Sequence, residues 1–499
     1  MLSDFLQQYL DRSSSEPSYR QLYRLLRQAI LSGNLPAGRQ LPPSRQLAAE
    51  IGLSRNTVTH VYEQLALEGY VVSLVGSGTF VADTVPDQFP GMHDLPVHHA
   101  ERATAQVASL STRGTRLIRM AGAAPQQWGA FHSGVPDVTQ FPLKIWTRLQ
   151  TKYWRRARPE LLTYASGGGY MPLRAALAEY LRTARSVTCD PEQIIITSGS
   201  HQSMHLVAQL LSDAGDDVWI EDPCYWGARN IFQSVGLKGL PIPVDAEGLA
   251  PTPEHLRRPP RFIFVSPSHQ YPLGVVMSVA RRRMLLEYAR LHGCWIVEDD
   301  YDSEFRYGSR PLASLQGLDT GERVIYLGSF SKIMFPGLRL GYIVVPKGLV
   351  GSFETGLSEL YREGQGVPQA ILAEFISEGH FASHIRRMRV LYGERRAILI
   401  DRIRHHFGTL LPVSGGEAGL HLVAHLPQSV DDEKLSADAF QAGVFTRPLS
   451  HYYDMRSDGR RGILLGYACV PNEDIAPEFV KLARVISAYL ELRGSGSSS

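Results

Sequence analysis

The sequence predicts a large α/β domain with a mostly parallel sheet, preceded by a small helical module that ends in a hairpin. Two observations carry this. Residues 17–82 are dense in apolar residues at helical spacing and close on two short β-branched runs around glycines. From about 119 to 490, helical stretches alternate with short strands such as 194–197, 261–266, 295–298, 324–327 and 341–345. That alternation is the pattern of helices crossing between parallel strands. Length agrees: at about 150 residues per domain, 499 residues make roughly three units, or one two-lobed body with a small module.

In the module, Tyr19, Leu22, Tyr23, Leu26, Ala29 and Ile30 recur on one helical face, and Gly33 can end that helix. A second, short helix follows Pro43 and turns Leu47, Ala48 and Ile51 inward. Gly52 makes the tight turn, and Ser54 can cap a third helix with Val58, Val61, Tyr62 and Leu65 inside. Its outer face shows Arg55, Asn56, Thr57, Thr59 and His60, which can reach base edges or phosphates. The stretch YVVSLVGSGTFVA then reads as two strands, completing a winged helix-turn-helix. Residues 17–81 hold six Arg and no Lys against three Glu, a local charge of +3.

The whole chain carries 51 basic and 49 acidic residues, a net charge of +2. This excludes a polyanion binder acting by bulk charge and leaves a local basic face open. Apolar content of 44% and charged content of 20% are ordinary for a globular protein, so disorder and coiled coil are excluded as readings of the whole. Cys189, Cys224, Cys294 and Cys469 lie far apart without a CxxC pair. No disulfide framework or metal site is expected, and a reducing compartment fits. The start MLSDFLQQYLDR has no leader pattern, and no apolar run nears the roughly 18 residues that span a bilayer. A soluble, cytoplasmic protein is the expectation.

Residues 84–118 mix Pro, His, Ser, Thr and Ala without a period and read as a linker between a 1–83 module and a 119–493 domain. The 494–499 tail GSGSSS reads as disordered. In the large domain, IYLGSFSKIMFPGLRLGYIVV places Lys332 behind a strand, between Ser329, Ser331 and Arg339. A desolvated lysine can form a Schiff base with a carbonyl cofactor, and the hydroxyls and guanidinium suit a phosphate. Asp299 in IVEDDYDSEF can hold a pyridinium N–H, and Tyr301 can donate to a ring phenolate. In TSGSHQSM the backbone N–H groups of Ser200 and His201 can cradle phosphate at a helix start. Tyr225 or Trp226 in DPCYW offers a stacking face.

Two resemblances sharpen this. The stretch GNLPAGRQLPPSRQLAAEIGLSRNTVTHVYEQLALEGYVVSLVGSGTFV resembles the GntR class of bacterial DNA-binding domains. The resemblance implies DNA contacts by Arg45, Ser54, Arg55, Thr57 and Gly78 on double-stranded operator DNA. From about Phe131 onward the motifs resemble fold-type I, aminotransferase-like enzymes, which use pyridoxal 5'-phosphate (PLP). That implies a homodimer in which Tyr164 reaches the cofactor phosphate of the partner subunit.

Two features depart from that family. SPSHQYPLG stands where an Asn-Pro-x-Asn-Pro loop is usual, and Leu464 in ILLGYA stands where an Arg usually binds the substrate carboxylate. Arg229, Arg447 and Arg461 are the remaining candidates for an effector's acid group.

The combination resembles the MocR/GabR regulators, in which an aminotransferase-like domain is joined to a GntR module in a head-to-tail dimer. This implies a PLP-dependent transcriptional regulator that senses a small amine or amino-acid-like effector by aldimine exchange at Lys332. On that reading it performs at most partial transamination. The alternative is a working aminotransferase that carries a DNA-binding domain, and Leu464 weighs against it.

Overall fold

The computed structural model describes residues 2–83 except 12, 13, 15 and 75, residues 110–119, and residues 128–491 except 157, 166, 309–312, 363 and 455–458. Contacts divide the chain into two units, Met1–Ser109 and Leu110–Ser499.

In the first unit, helix Ser18–Leu31 buries Leu22, Leu25, Leu26, Ala29 and Ile30. Tyr19 and Tyr23 of the expected face are half-buried. Gln21 is buried in their stead, because its amide donates to the Asp11 and Glu16 carbonyls at 3.0 and 2.8 Å. Helix Ser44–Ile51 buries Leu47, Ala48 and Ile51 and ends on Gly52 at φ 66°, where a side chain would be strained. The Ser54 hydroxyl accepts from the Thr57 N–H at 3.1 Å and starts helix Arg55–Leu67. That helix seats Val58, Val61, Tyr62 and Leu65 in the core, each fully buried aliphatic contributing about 1.5–3 kcal/mol. Strands Val71–Leu74 and Gly78–Val81 pair antiparallel as the wing. A helix at Leu2–Tyr9, too short to show a clear period in the sequence, adds Leu6 to this core.

The second unit begins earlier than expected. Helix Thr112–Arg119 takes up the last seven residues, 112–118, of the span 84–118 read as linker. Its apolar residues Leu117 and Ile118 are adjacent and exposed, so no period marks it. The Ser111 hydroxyl starts it by accepting from the Gly114 N–H at 3.0 Å. The rest of that span, 84–109, and the 494–499 tail lie outside the described residues.

The main sheet has eight strands, in the order Ile194–Thr197, Gly341–Val344, Val324–Ser329, Trp295–Asp300, Phe262–Val265, Asp217–Asp222, Lys238–Asp245 and Gly248–Leu249. Strands 324–329 through 238–245 run parallel. Gly341–Val344 is antiparallel to both its neighbours, and the 248–249 edge is antiparallel as well. The central strands are buried along almost their whole length, which is why they read as continuous apolar runs. A second sheet of four antiparallel strands follows, in the order Val413–Ser414, His421–His425, Gly462–Gly466 and Arg447–Pro448. The helices His380–Phe407 and Asn472–Glu491 share a core with it. Among the described residues no helix is long and apolar enough to cross a membrane.

Candidate functional site

The carboxyl ends of the parallel strands and the start of helix Ser200–Leu211 converge on a cavity of ≈ 360 Å³. In an open α/β sheet this is where strand order leaves a crevice for ligands. Strand 324–329 delivers Ser329, with Ser331 and Lys332 just beyond it, and strand 295–300 delivers Asp299, Tyr301 and Asp302. Strand 217–222 leads to Tyr225 and Trp226, and both line the wall.

The Lys332 Nζ donates to the Gly134 carbonyl at 2.6 Å. Burial pushes its pKa below the ordinary lysine value, and Arg447 adds to this while Asp302 and Asp299 oppose it. A larger neutral fraction makes the amine a better nucleophile toward a carbonyl. Gly134, at φ +76°, brings bare backbone close, since a Cβ there would stand 3.1 Å from Nζ.

Asp299 is buried, and no described group hydrogen-bonds to its carboxylate. Burial, with Asp300 and Asp302, pushes its pKa up to about 7 against the pull of Lys332. Such a group calls for a cationic N–H partner.

The opposite end of the cavity suits an anion. Arg339 sits in the left-handed region at φ 51°, a costly conformation for a side-chain-bearing residue. Its guanidinium lies against Gly199, where a Cβ would meet Nη2 at 3.4 Å. The first-turn N–H groups of Ser200 and His201 have no partner within their helix. With Ser329 and Ser331 they complete a phosphate-shaped corner. The His201 ring turns instead to the Tyr225 hydroxyl, at 2.7 Å. Carboxylate, lysine and anion corner in this order fit a pyridine ring with a carbonyl and a phosphate.

Tyr301 is more constrained than expected. Its hydroxyl donates to the His269 carbonyl at 2.9 Å and lies 2.9 Å from the His269 Nδ1. Donation to a cofactor phenolate therefore requires the hydroxyl to turn. Tyr164 is 78% exposed and lies outside the cavity lining.

Of the three arginine candidates, only Arg447 lines the cavity. It lies directly across from Leu464 in the strand register, so both project to the same face of the sheet. The other two candidates lie outside the cavity lining. Arg229 donates to the Tyr452 and Tyr453 carbonyls at 2.9 and 3.2 Å and stands 3.8 Å from Asp222. Arg461 pairs with Asp432 at 3.1 Å. Both guanidiniums hold structure.

Several lining residues carry no signal in the sequence. The 132–135 loop has no motif, and His421 is a lone histidine in a strand whose pKa burial lowers to about 3. Tyr271 and Asp302 lie within the SPSHQYPLG and IVEDDYDSEF motifs, where nothing local singles them out.

Residues 131–464 match the family model for aminotransferase class I and II, and residues 18–81 match bacterial regulatory proteins of the gntR family. The chain is 41% identical to the probable rhizopine catabolism regulatory protein MocR of Rhizobium meliloti, over 98% of this chain and 97% of that one. The chain belongs to the MocR-type regulators.

This MocR-type chain is also 31% identical to the pyridoxine biosynthesis transcriptional regulator PdxR of Corynebacterium glutamicum, covering 90% of this chain and 91% of the relative. Among solved structures, Pyrococcus horikoshii kynurenine aminotransferase superposes with a TM-score of 0.67 at 26% identity. It covers 76% of this chain and 95% of its own. The aminotransferase family is PLP-dependent, GntR-type regulators bind operator DNA, and dimers are typical of the family.

The DNA-facing candidates lie on one unit. Arg45 and Arg55 are exposed in the first turns of their helices, and among the described residues neither makes an ion pair. Ser54 and Thr57 are tied together by the cap. Gly78, at φ +112° in the wing, leaves room for the Gln40 amide, which donates to the Ser77 carbonyl at 2.7 Å.

Proposed function

We propose that the effector domain of this regulator holds PLP on Lys332 and senses a small amine that displaces the lysine. The observation that carries this is the convergence of Lys332, Asp299 and the Arg339 corner on one cavity. When bound, the cofactor supplies an electrophilic carbonyl and an electron-withdrawing ring. Asp299 pairs with the ring N–H, and Arg339, Ser329, Ser331 and the Ser200 and His201 N–H groups hold the phosphate. Tyr301 hydrogen-bonds to the ring oxygen, and Tyr225 or Trp226 covers a ring face. With PLP bound, the Lys332 amine would hold the cofactor carbonyl carbon, and an effector amine that replaced it there would leave Lys332 free. An effector that binds two dimer arrangements unequally then shifts their populations.

Arg45, Ser54, Arg55, Thr57 and Gly78 contact the operator in this reading. The DNA module spans 1–83, and the effector domain runs from about 110 to 493. The cytoplasmic homodimer is head-to-tail, with Tyr164 completing the partner's phosphate site.

The test is an absorption spectrum of the purified protein with PLP, before and after borohydride, followed by a screen of amines for spectral change. A visible band that borohydride bleaches while fixing the cofactor covalently to Lys332 supports the reading, and a protein that takes up no PLP overturns it.

One observation favours a second reading, a working aminotransferase: the solved structures that superpose include aminotransferases at 26% and 28% identity. Sustained turnover of an amino donor with a keto acid would decide for it. Leu464, buried where a carboxylate-binding Arg is expected, counts against it.

A further inference from the structure

Behind Tyr301 lies a buried cluster that the cofactor reading does not use. Both Asp302 oxygens approach the His269 Nδ1, at 3.0 and 3.1 Å, and both side chains are almost fully buried. A carboxylate needs a donor, so Nδ1 carries its hydrogen. The Tyr301 hydroxyl, 2.9 Å from the same nitrogen, must then direct its own hydrogen to the His269 carbonyl. His269 thus holds Asp302 through its ring and the Tyr301 phenol through its backbone carbonyl.

The cluster is clamped from the second sheet. Gly419 at φ +77° presses bare backbone on it, and a Cβ there would stand 2.1 Å from the His269 Cε1 and 2.6 Å from the Asp302 Oδ2. The Gly419 carbonyl is itself held by the Tyr467 and Tyr307 hydroxyls, at 2.7 and 2.8 Å. Asp302 has little freedom to turn away, and it lines the cavity beside Lys332.

Resting on the cofactor reading above, we propose that Asp302, held by His269, is a positioning residue that presents a fixed negative charge to the Lys332 nitrogen. The charged groups facing that nitrogen are Asp302 and Asp299, which favour its protonated form, and Arg447, which opposes it. The His201 and His421 rings also feel the Lys332 charge. Of the two carboxylates, Asp299 is committed to the ring N–H when PLP is bound. Asp302, whose partner is a hydrogen-bonding ring, remains the standing counter-charge.

The experiment is a pH titration of the visible band of the full-length protein loaded with PLP. Asp302→Asn is expected to lower the midpoint by about one pH unit, a tenfold weaker hold on the proton. Asp302→Glu, which keeps the charge, is expected to return the midpoint toward wild type. His269→Phe removes the hydrogen bond that fixes the Asp302 carboxylate, and the midpoint falls as in Asp302→Asn. If Asp302→Asn does not fold, His269→Phe decides alone. A merely structural role would change PLP affinity or melting temperature and leave the midpoint in place, and that result overturns the proposal. A wild-type protein with no visible band refutes the cofactor reading, and the proposal falls with it.

Discussion

Asp299→Asn separates the cost of the cofactor site from its use. Burial raises the Asp299 pKa from its ordinary 3.8 to about 7. At about 1.4 kcal/mol per pH unit, keeping the carboxylate ionised in the cofactor-free protein costs roughly 4 kcal/mol. The sign follows from the direction. A carboxyl whose folded-state pKa is raised binds its proton more tightly when folded, so its contribution is most favourable below pH 3.8 and is lost as pH rises to 7. The asparagine amide carries no charge, but burying it unpaired returns about 2 kcal/mol of the gain. Without PLP, Asp299→Asn is therefore expected to be more stable than wild type by about 2 kcal/mol at pH 8, with the advantage shrinking toward pH 5. With PLP the order reverses, because only the carboxylate neutralises the ring N–H. Thermal melts of both proteins at pH 5 and 8, with and without PLP, provide the assay. An Asp299→Asn protein that is less stable than wild type at pH 8 without PLP, or binds PLP equally well, refutes the reasoning.

Other outcomes follow from the same geometry. Substituting Arg45 and Arg55 by Ala lowers the salt slope of operator binding by about one for each phosphate no longer neutralised, measured by binding titrations across salt concentrations. Where Arg55 reads a base edge, its removal relaxes sequence discrimination by about 1–3 kcal/mol. Arg447→Ala weakens binding of an acid-bearing effector by about 1–3 kcal/mol in calorimetry. Arg229→Ala acts on stability instead: it leaves the Tyr452 and Tyr453 carbonyls short of a donor and lowers stability by about 2 kcal/mol in denaturant unfolding.

The fold is legible in the sequence wherever burial leaves a periodic trace. The inner faces of helices Ser44–Ile51 and Arg55–Leu67 follow directly from the spacing of their apolar residues, as do the main strands. Helix Thr112–Arg119 is not legible, because a helix with adjacent, exposed Leu117 and Ile118 shows no period. In the site, Lys332, Asp299 and Arg339 stand in local motifs that announce their chemistry. Gly134, Asp302 and His421 reach it from strand ends and loops scattered along the chain, and His269 backs Asp302 from behind. Only the sheet topology brings them together. The arginines show the same limit: Arg229, Arg447 and Arg461 look equivalent in sequence. Strand register alone puts Arg447 opposite Leu464, while carbonyls and Asp432 claim the other two.

On the proposed function, Lys332 couples amine sensing to DNA binding. The most direct measurement compares effector-dependent operator binding of wild type and Lys332→Ala, both loaded with PLP. PLP can still bind the variant through the Arg339 corner, so loss of colour alone decides nothing. Lys332→Ala is expected to keep its basal operator affinity within a modest factor, because the DNA module has its own core, and to lose the response to the amine. A Lys332→Ala protein whose operator binding still responds in full to the amine would contradict it.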